Sequence, residues 1–129
     1  MISPPRTADI LEDDLQSWDI RSLDIRPHRP EVLRSDGEAR VIGIQLPAGE
    51  ELQEHQVHER AYLLVVEGEI EVADGGGSET GGPSYLACFD PKERREVRAR
   101  SDARLVLVLA PWPGEGHPSE RAGGIAPAA

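Results

Sequence analysis

Between Glu31 and Pro111 the sequence is cut into short β-prone runs separated by turn signals, and this rhythm limits the fold more than any other feature of the chain. EVLRSDGEARVIGIQL contains two such runs about Ser35-Asp36-Gly37, a turn signal. AYLLVVEGEIEVAD holds two strands that meet near Glu67-Gly68. The second of them alternates, with Ile70 and Val72 on one face and Glu69 and Glu71 on the other. SYLACF is a further short strand ended by Asp90-Pro91, and REVRARSDARLVLVLAP supplies two more about Ser101-Asp102. DGGGSETGG reads as a loose connecting loop, without the Gly-Lys-Ser/Thr ending that a phosphate-binding loop requires. Seven or eight short strands, with turns about every eight to twelve residues, predict an all-β sandwich or barrel.

Two of the strands, Tyr62–Val66 and Leu105–Leu109, are apolar on both faces. A strand wet on one side alternates apolar with polar residues, so two-sided apolarity predicts that something covers the outer face. In so small a chain a second subunit is the simplest cover, and the expectation is a homodimer. The 129 residues make one domain by length. Residues 1–20 form an acidic extension with a short helix predicted around Ala8–Trp18, capped by Thr7. Residues 21–113 form the barrel, and the Gly-, Pro- and Ala-rich tail 114–129 is expected to be flexible.

The formal net charge of −10 argues against nucleic acid, whose phosphates need a basic face. No stretch approaches the roughly 20 apolar residues of a membrane span, and the acidic N-terminus lacks the apolar core of a signal peptide. The single cysteine, Cys88, precludes an intrachain disulfide and fits a reducing, cytoplasmic setting. Cys88 itself reads as a small buried hydrophobe. His28 and His117 lie in the terminal segments and carry no motif.

The chemistry-bearing stretch is GEELQEHQVHERAYLLVVEG, residues 49–68. Side chains alternate along a strand, which predicts an inward face of His55, Val57, Glu59 and Ala61, with His58 outward. In this stretch the chain resembles the cupin family, small jelly-roll barrels that often hold a metal, and the resemblance covers roughly residues 30–112. The family's first motif is Gly, five residues, His-x-His, three residues, Glu, six residues, Gly. Gly49, His55 and Gly68 keep that frame without a gap. Val57 stands at the second histidine and Ala61 at the glutamate. The family's second motif, a proline turn followed by a histidine on the next strand, falls on FDPKERREVRA. One alignment of it puts Arg95 at the histidine and another puts Glu96 there; Arg95 is the favoured inward residue.

The resemblance therefore implies a double-stranded β-helix barrel with one of four expected metal ligands, His55, retained. A tight divalent site needs three or four donors converging on one point, so no tightly bound metal is expected. If one is present, His55, Glu59 and Glu96 are its candidate ligands. The leading expectation is a cavity, lined by His55, Val57, Glu59, Ala61, Arg95 and Glu96, that binds a small polar or anionic molecule. The alternative is an enzyme of the dioxygenase or isomerase type. It would use a non-standard site around His55, with a metal or with His55 as a general base. A third reading is a dimeric scaffold with no ligand.

Overall fold

The structure, a computed structural model, describes residues 15–52 and 58–113. Nine strands lie within them: β1 (Glu31–Ser35), β2 (Arg40–Leu46), β3 (Glu51–Leu52), β4 (Arg60–Glu67), β5 (Ile70–Ala73), β6 (Ser78–Gly81), β7 (Leu86–Phe89), β8 (Glu96–Ala99) and β9 (Ala103–Ala110). They form two antiparallel sheets, one in the order β1-β2-β9-β4-β7 and the other in the order β3-β8-β5-β6. This is the strand interleaving of a jelly roll, and it matches the expected all-β class. Among the described residues no helix is long and apolar enough to cross a membrane.

Alternation places the core. On β4, Ala61, Leu63 and Val65 are buried while Tyr62 and Leu64 are exposed. The β4–β9 register sets Leu63 opposite Leu107 and Val65 opposite Leu105. Ile44, Leu46, Ile70, Val72, Val97 and Ala99 close the core from neighbouring strands. Leu63, Ile70 and Leu105 have no accessible surface, and burial of each such side chain contributes roughly 1.5–3 kcal/mol.

The turns are held by short polar side chains. Asp36 Oδ1 accepts the Glu38 and Ala39 N–H groups at 2.9 and 3.1 Å, and Asp74 Oδ1 accepts those of Gly76 and Gly77 at 2.8 and 3.1 Å. Aspartate favours such turns because its side chain can replace a backbone acceptor. Between β4 and β5, Gly68 has φ +85°. A Cβ there would lie 2.7 Å from Ala103 Cα and closer still to the Asp102 carbonyl oxygen. At the far end of β9, the Arg40 guanidinium stacks 4.0 Å from the centroid of the Trp112 ring.

Three expectations are corrected. The glycine-rich stretch is not all loop: Ser78–Gly81 is strand β6, paired residue for residue with β5. As an edge strand it exposes Ser78, Glu79 and Thr80, so backbone pairing forms it without an apolar signal. The N-terminal helix is absent over Leu15–Trp18, which is irregular; the remainder of that prediction, like the tail 114–129, lies outside the described residues. Cys88 is exposed rather than buried, because it sits opposite Tyr62 on the outward side of β7.

The outer face of the larger sheet is part covered and part open. Part of its outer face is covered by the chain itself. Ile25 is buried against Gly43, where an added Cβ would come within 2.7 Å of Ile25 Cδ1. Arg104, outward on β9, donates to the Ile20 and Leu23 carbonyls at 2.8 Å each and to Gln45 Oε1 at 2.7 Å. Tyr62, Leu64 and Leu86 remain exposed on the same face.

Candidate functional site

Strand β8 positions the residue that organises the site. Val97 and Ala99 are buried while Glu96 and Arg98 are exposed. Arg95, one residue ahead of the strand, shares the parity of Val97 and has 24% of its side chain exposed. Its guanidinium lies 5.8 Å from the centroid of the Phe89 ring. It pairs with Asp74 at 3.3 Å and also with Glu93.

The Arg95 head enters a cleft of about 600 Å³ at the seam between β6 and β7, the edge strands of the two sheets. Asp74, Ser78, Glu79 and Tyr85 supply the cleft's other polar groups, over a floor that includes Val72 and Phe89. The Tyr85 ring packs directly on Gly81, where any Cβ would collide with it. The Tyr85 hydroxyl donates to Glu79 Oε1 at 2.8 Å. Burial, and then the Glu79 carboxylate, hold the phenol above its ordinary pKa, so it stays a donor at neutral pH. The Gly76 N–H bond, assisted by Arg95, holds Asp74 below the usual carboxylate value, so it stays ionised. The cleft thus offers one guanidinium, two carboxylates, a phenol and a hydroxyl.

The sequence-predicted residues do not all meet here. Arg95 lines the cleft. Glu96 is exposed and lines a neighbouring hollow of about 530 Å³, with Glu71 and Arg94. Glu59, only 1% exposed, and Ala61, 3% exposed, lie on the inward face leading into β4, and neither lines the cleft. His58 is half-buried. His55 and Val57 lie outside the described residues. No sequence signal marks Asp74, Ser78, Glu79 and Tyr85, because three of them lie in a stretch that reads as a loose connecting loop.

No known family model and no curated protein matches the sequence. Solved structures do match the fold. An RmlC-like cupin protein from Desulfovibrio desulfuricans is 20% identical over 76% of this chain and 98% of its own, with a TM-score of 0.67. A conserved protein with a double-stranded β-helix domain from Klebsiella pneumoniae is 19% identical over 78% of this chain and 95% of its own, also at 0.67. An RmlC-like cupin family protein from Methanocaldococcus jannaschii is 17% identical over 70% and 85%, at 0.63. This chain has the cupin fold.

At the described positions, the residues do not fit the metal that the first motif implies. Ala61, buried at the glutamate position, has no donor atom, and at the second motif Arg95 brings a fixed positive charge inward. A guanidinium repels a cation and cannot ligate one. Among the described residues, no three His, Cys, Asp or Glu side chains come together in a metal-holding group.

Proposed function

We propose that this cupin-fold chain binds a small polar molecule in the cleft between β6 and β7, without a tightly held metal. The observation that carries the reading is Arg95, turned inward at the second-motif position and entering a cleft lined by four further polar side chains. Its volume, about 600 Å³, falls in the range that ligand pockets occupy. Because Asp74 and Glu93 already neutralise Arg95, the cleft favours a molecule with both donor and acceptor groups over a simple anion. The single cysteine supports a reducing, cytoplasmic setting for such a binder. Screening small polar metabolite-like compounds by thermal shift tests the reading. A hit should raise Tm in the wild type and fail to do so in Arg95→Ala; a hit that is indifferent to Arg95 would reject this cleft as its site.

The enzyme reading keeps one supporting observation, the deeply buried Glu59 carboxylate on the strand face that the sequence pattern assigns to His55 as well. Metal content separates the two. Protein purified without chelator or affinity metal is expected to hold substoichiometric transition metal. Near-stoichiometric zinc, iron, manganese or nickel that disappears in His55→Ala would put the enzyme first.

The homodimer is proposed on the outer face of the larger sheet. Tyr62, Leu64, Leu86 and Cys88 form an exposed, uncharged patch there. At its margins Arg60 is paired with Asp90 and Arg21 with Glu67. Two copies that each carry a net charge of −10 repel least through a face with no net charge. Sedimentation should show a dimer at micromolar concentration and a monomer for Leu64→Glu. A wild-type monomer at that concentration would sink the proposal.

A further inference from the structure

A second feature lies well away from the Arg95 cleft in the fold, in the segment that leads into β1. Arg26 and Arg29 form an isolated antiparallel bridge, closed by the Arg29 N–H donating to the Arg26 carbonyl at 3.2 Å. Directly opposed residues in such a bridge project to the same side, and like charges placed so are destabilising. Pro27 and His28 make the turn between them, and His28 has φ +65°, a conformation that normally selects glycine or asparagine. His28 is fixed by its Nε2 contact with Glu50 Oε1 at 2.7 Å.

Among the described residues, no ion pair holds either of the two exposed arginines. Every other described arginine has an ion pair, a hydrogen bond or a ring contact. Among the described residues, Arg26 and Arg29 make no side-chain hydrogen bond or ion pair. Both line a hollow of about 330 Å³ at the opposite seam, where β2 and β3 face each other, and its floor is Ile44, Leu46, Pro47 and Leu52. The hollow's two carboxylates are already engaged, Glu50 by His28 and Glu51 by Arg98 at 2.5 Å. Asp24 and Glu31 line a second hollow of about 310 Å³ that Arg26, Arg29 and Pro30 share, and among the described residues neither forms an ion pair with the arginines. In a chain of net charge −10, the bridge thus sets two unpaired arginines side by side at the mouth of an apolar-floored hollow.

We infer that the Arg26–Arg29 turn and the hollow behind it form a second binding site, for a small free carboxylate carried on an apolar body. The carboxylate bridges the two guanidinium groups, each donating to one or both of its oxygens. The apolar body lies on Ile44, Leu46 and Leu52 and removes their remaining surface from water. Binding therefore relieves the repulsion that the unliganded turn carries.

The test uses the full chain with phenylacetate as probe, and with phenylacetamide and acetate as its neutral and headgroup-only counterparts. Phenylacetate at tenfold excess over its dissociation constant should raise Tm by about 5 °C. Phenylacetamide should bind at least about tenfold more weakly, since one lost charge-assisted contact is worth that much, and so should acetate, which has no ring to bury on the apolar floor. Arg26→Gln/Arg29→Gln should lose the response, while Arg21→Gln and Arg95→Ala keep it. Keeping the response in Arg95→Ala separates this site from the β6–β7 cleft. Phenylacetamide acting as strongly as phenylacetate, no response at all, or a response that survives in the double glutamine variant would each overturn the assignment. A second readout needs no ligand: unliganded Arg29→Gln should melt no lower than wild type, because it removes repulsion. A clear fall in its Tm would show that the arginine has a structural partner and would also overturn the proposal.

Discussion

Gly68→Ala is expected to destabilise the fold by about 3 kcal/mol or more. Two penalties combine. The backbone at φ +85° disfavours any L side chain. The added Cβ would also press on Asp102 and Ala103, at 2.7 Å from Ala103 Cα, and both contacts are backbone atoms that cannot swing aside. Ala103 begins β9, the strand that pairs with both β2 and β4, so relief of the clash must displace the centre of the larger sheet. Gly49 and Gly75 provide the control, since both have positive φ and neither has an atom within 4 Å of an added Cβ. Alanine at either should cost only the conformational penalty, about 1 kcal/mol. Urea denaturation of the three variants measures this, and a Gly68→Ala loss no larger than that of Gly75→Ala would refute the steric argument.

Arg104→Ala is expected to cost about 2–3 kcal/mol and to release the segment that leads into β1. Arg104 is half-buried and gives three hydrogen bonds, to Gln45 and to the Ile20 and Leu23 carbonyls. Its removal leaves both carbonyls without that donor and loosens Ile25 from Gly43. The Ile25 amide, which donates to the Leu23 carbonyl at 3.0 Å, should exchange faster with solvent deuterium, while amides of β4 and β5 change only with global stability. Arg104→Lys should restore little, because a single ammonium on a flexible stem does not reproduce the planar fork. Unchanged exchange at Ile25 would show that the segment is held by apolar packing alone.

The strands that were legible in advance are those whose side chains do two different things on two faces. Ile70 and Val72 alternate with Glu69 and Glu71, and β5 falls where that alternation placed it. Arg95 was favoured inward because it keeps step with Val97 and Ala99, and the structure gives it that parity. Strand β6 was not legible, because Ser78, Glu79 and Thr80 are all exposed and leave no period to read. The polar lining of the cleft was hidden for the same reason. Cys88 was misplaced because residue type alone suggested burial, whereas its position opposite Tyr62 puts it on the outward side.

The sequence by itself determined the fold class and the turns other than that between β5 and β6, because alternation and turn-forming residues are local constraints that neighbouring residues impose on one another. It also determined that the first-motif frame lacks a donor at Ala61, since no tertiary arrangement can add a ligand atom to a methyl group. Only the tertiary structure decided where the polar groups gather. Asp74, Glu79, Tyr85 and Arg95 come from three separate stretches, and the seam between β6 and β7 exists only once the two sheets are stacked. It likewise decided what covers the larger sheet. Ile25 and Arg104 are far apart in the chain, and no local pattern says that one will lie on Gly43 while the other ties down the segment carrying it. Contacts of that separation depend on the whole register of β2, β9 and β4, which short-range preferences do not encode.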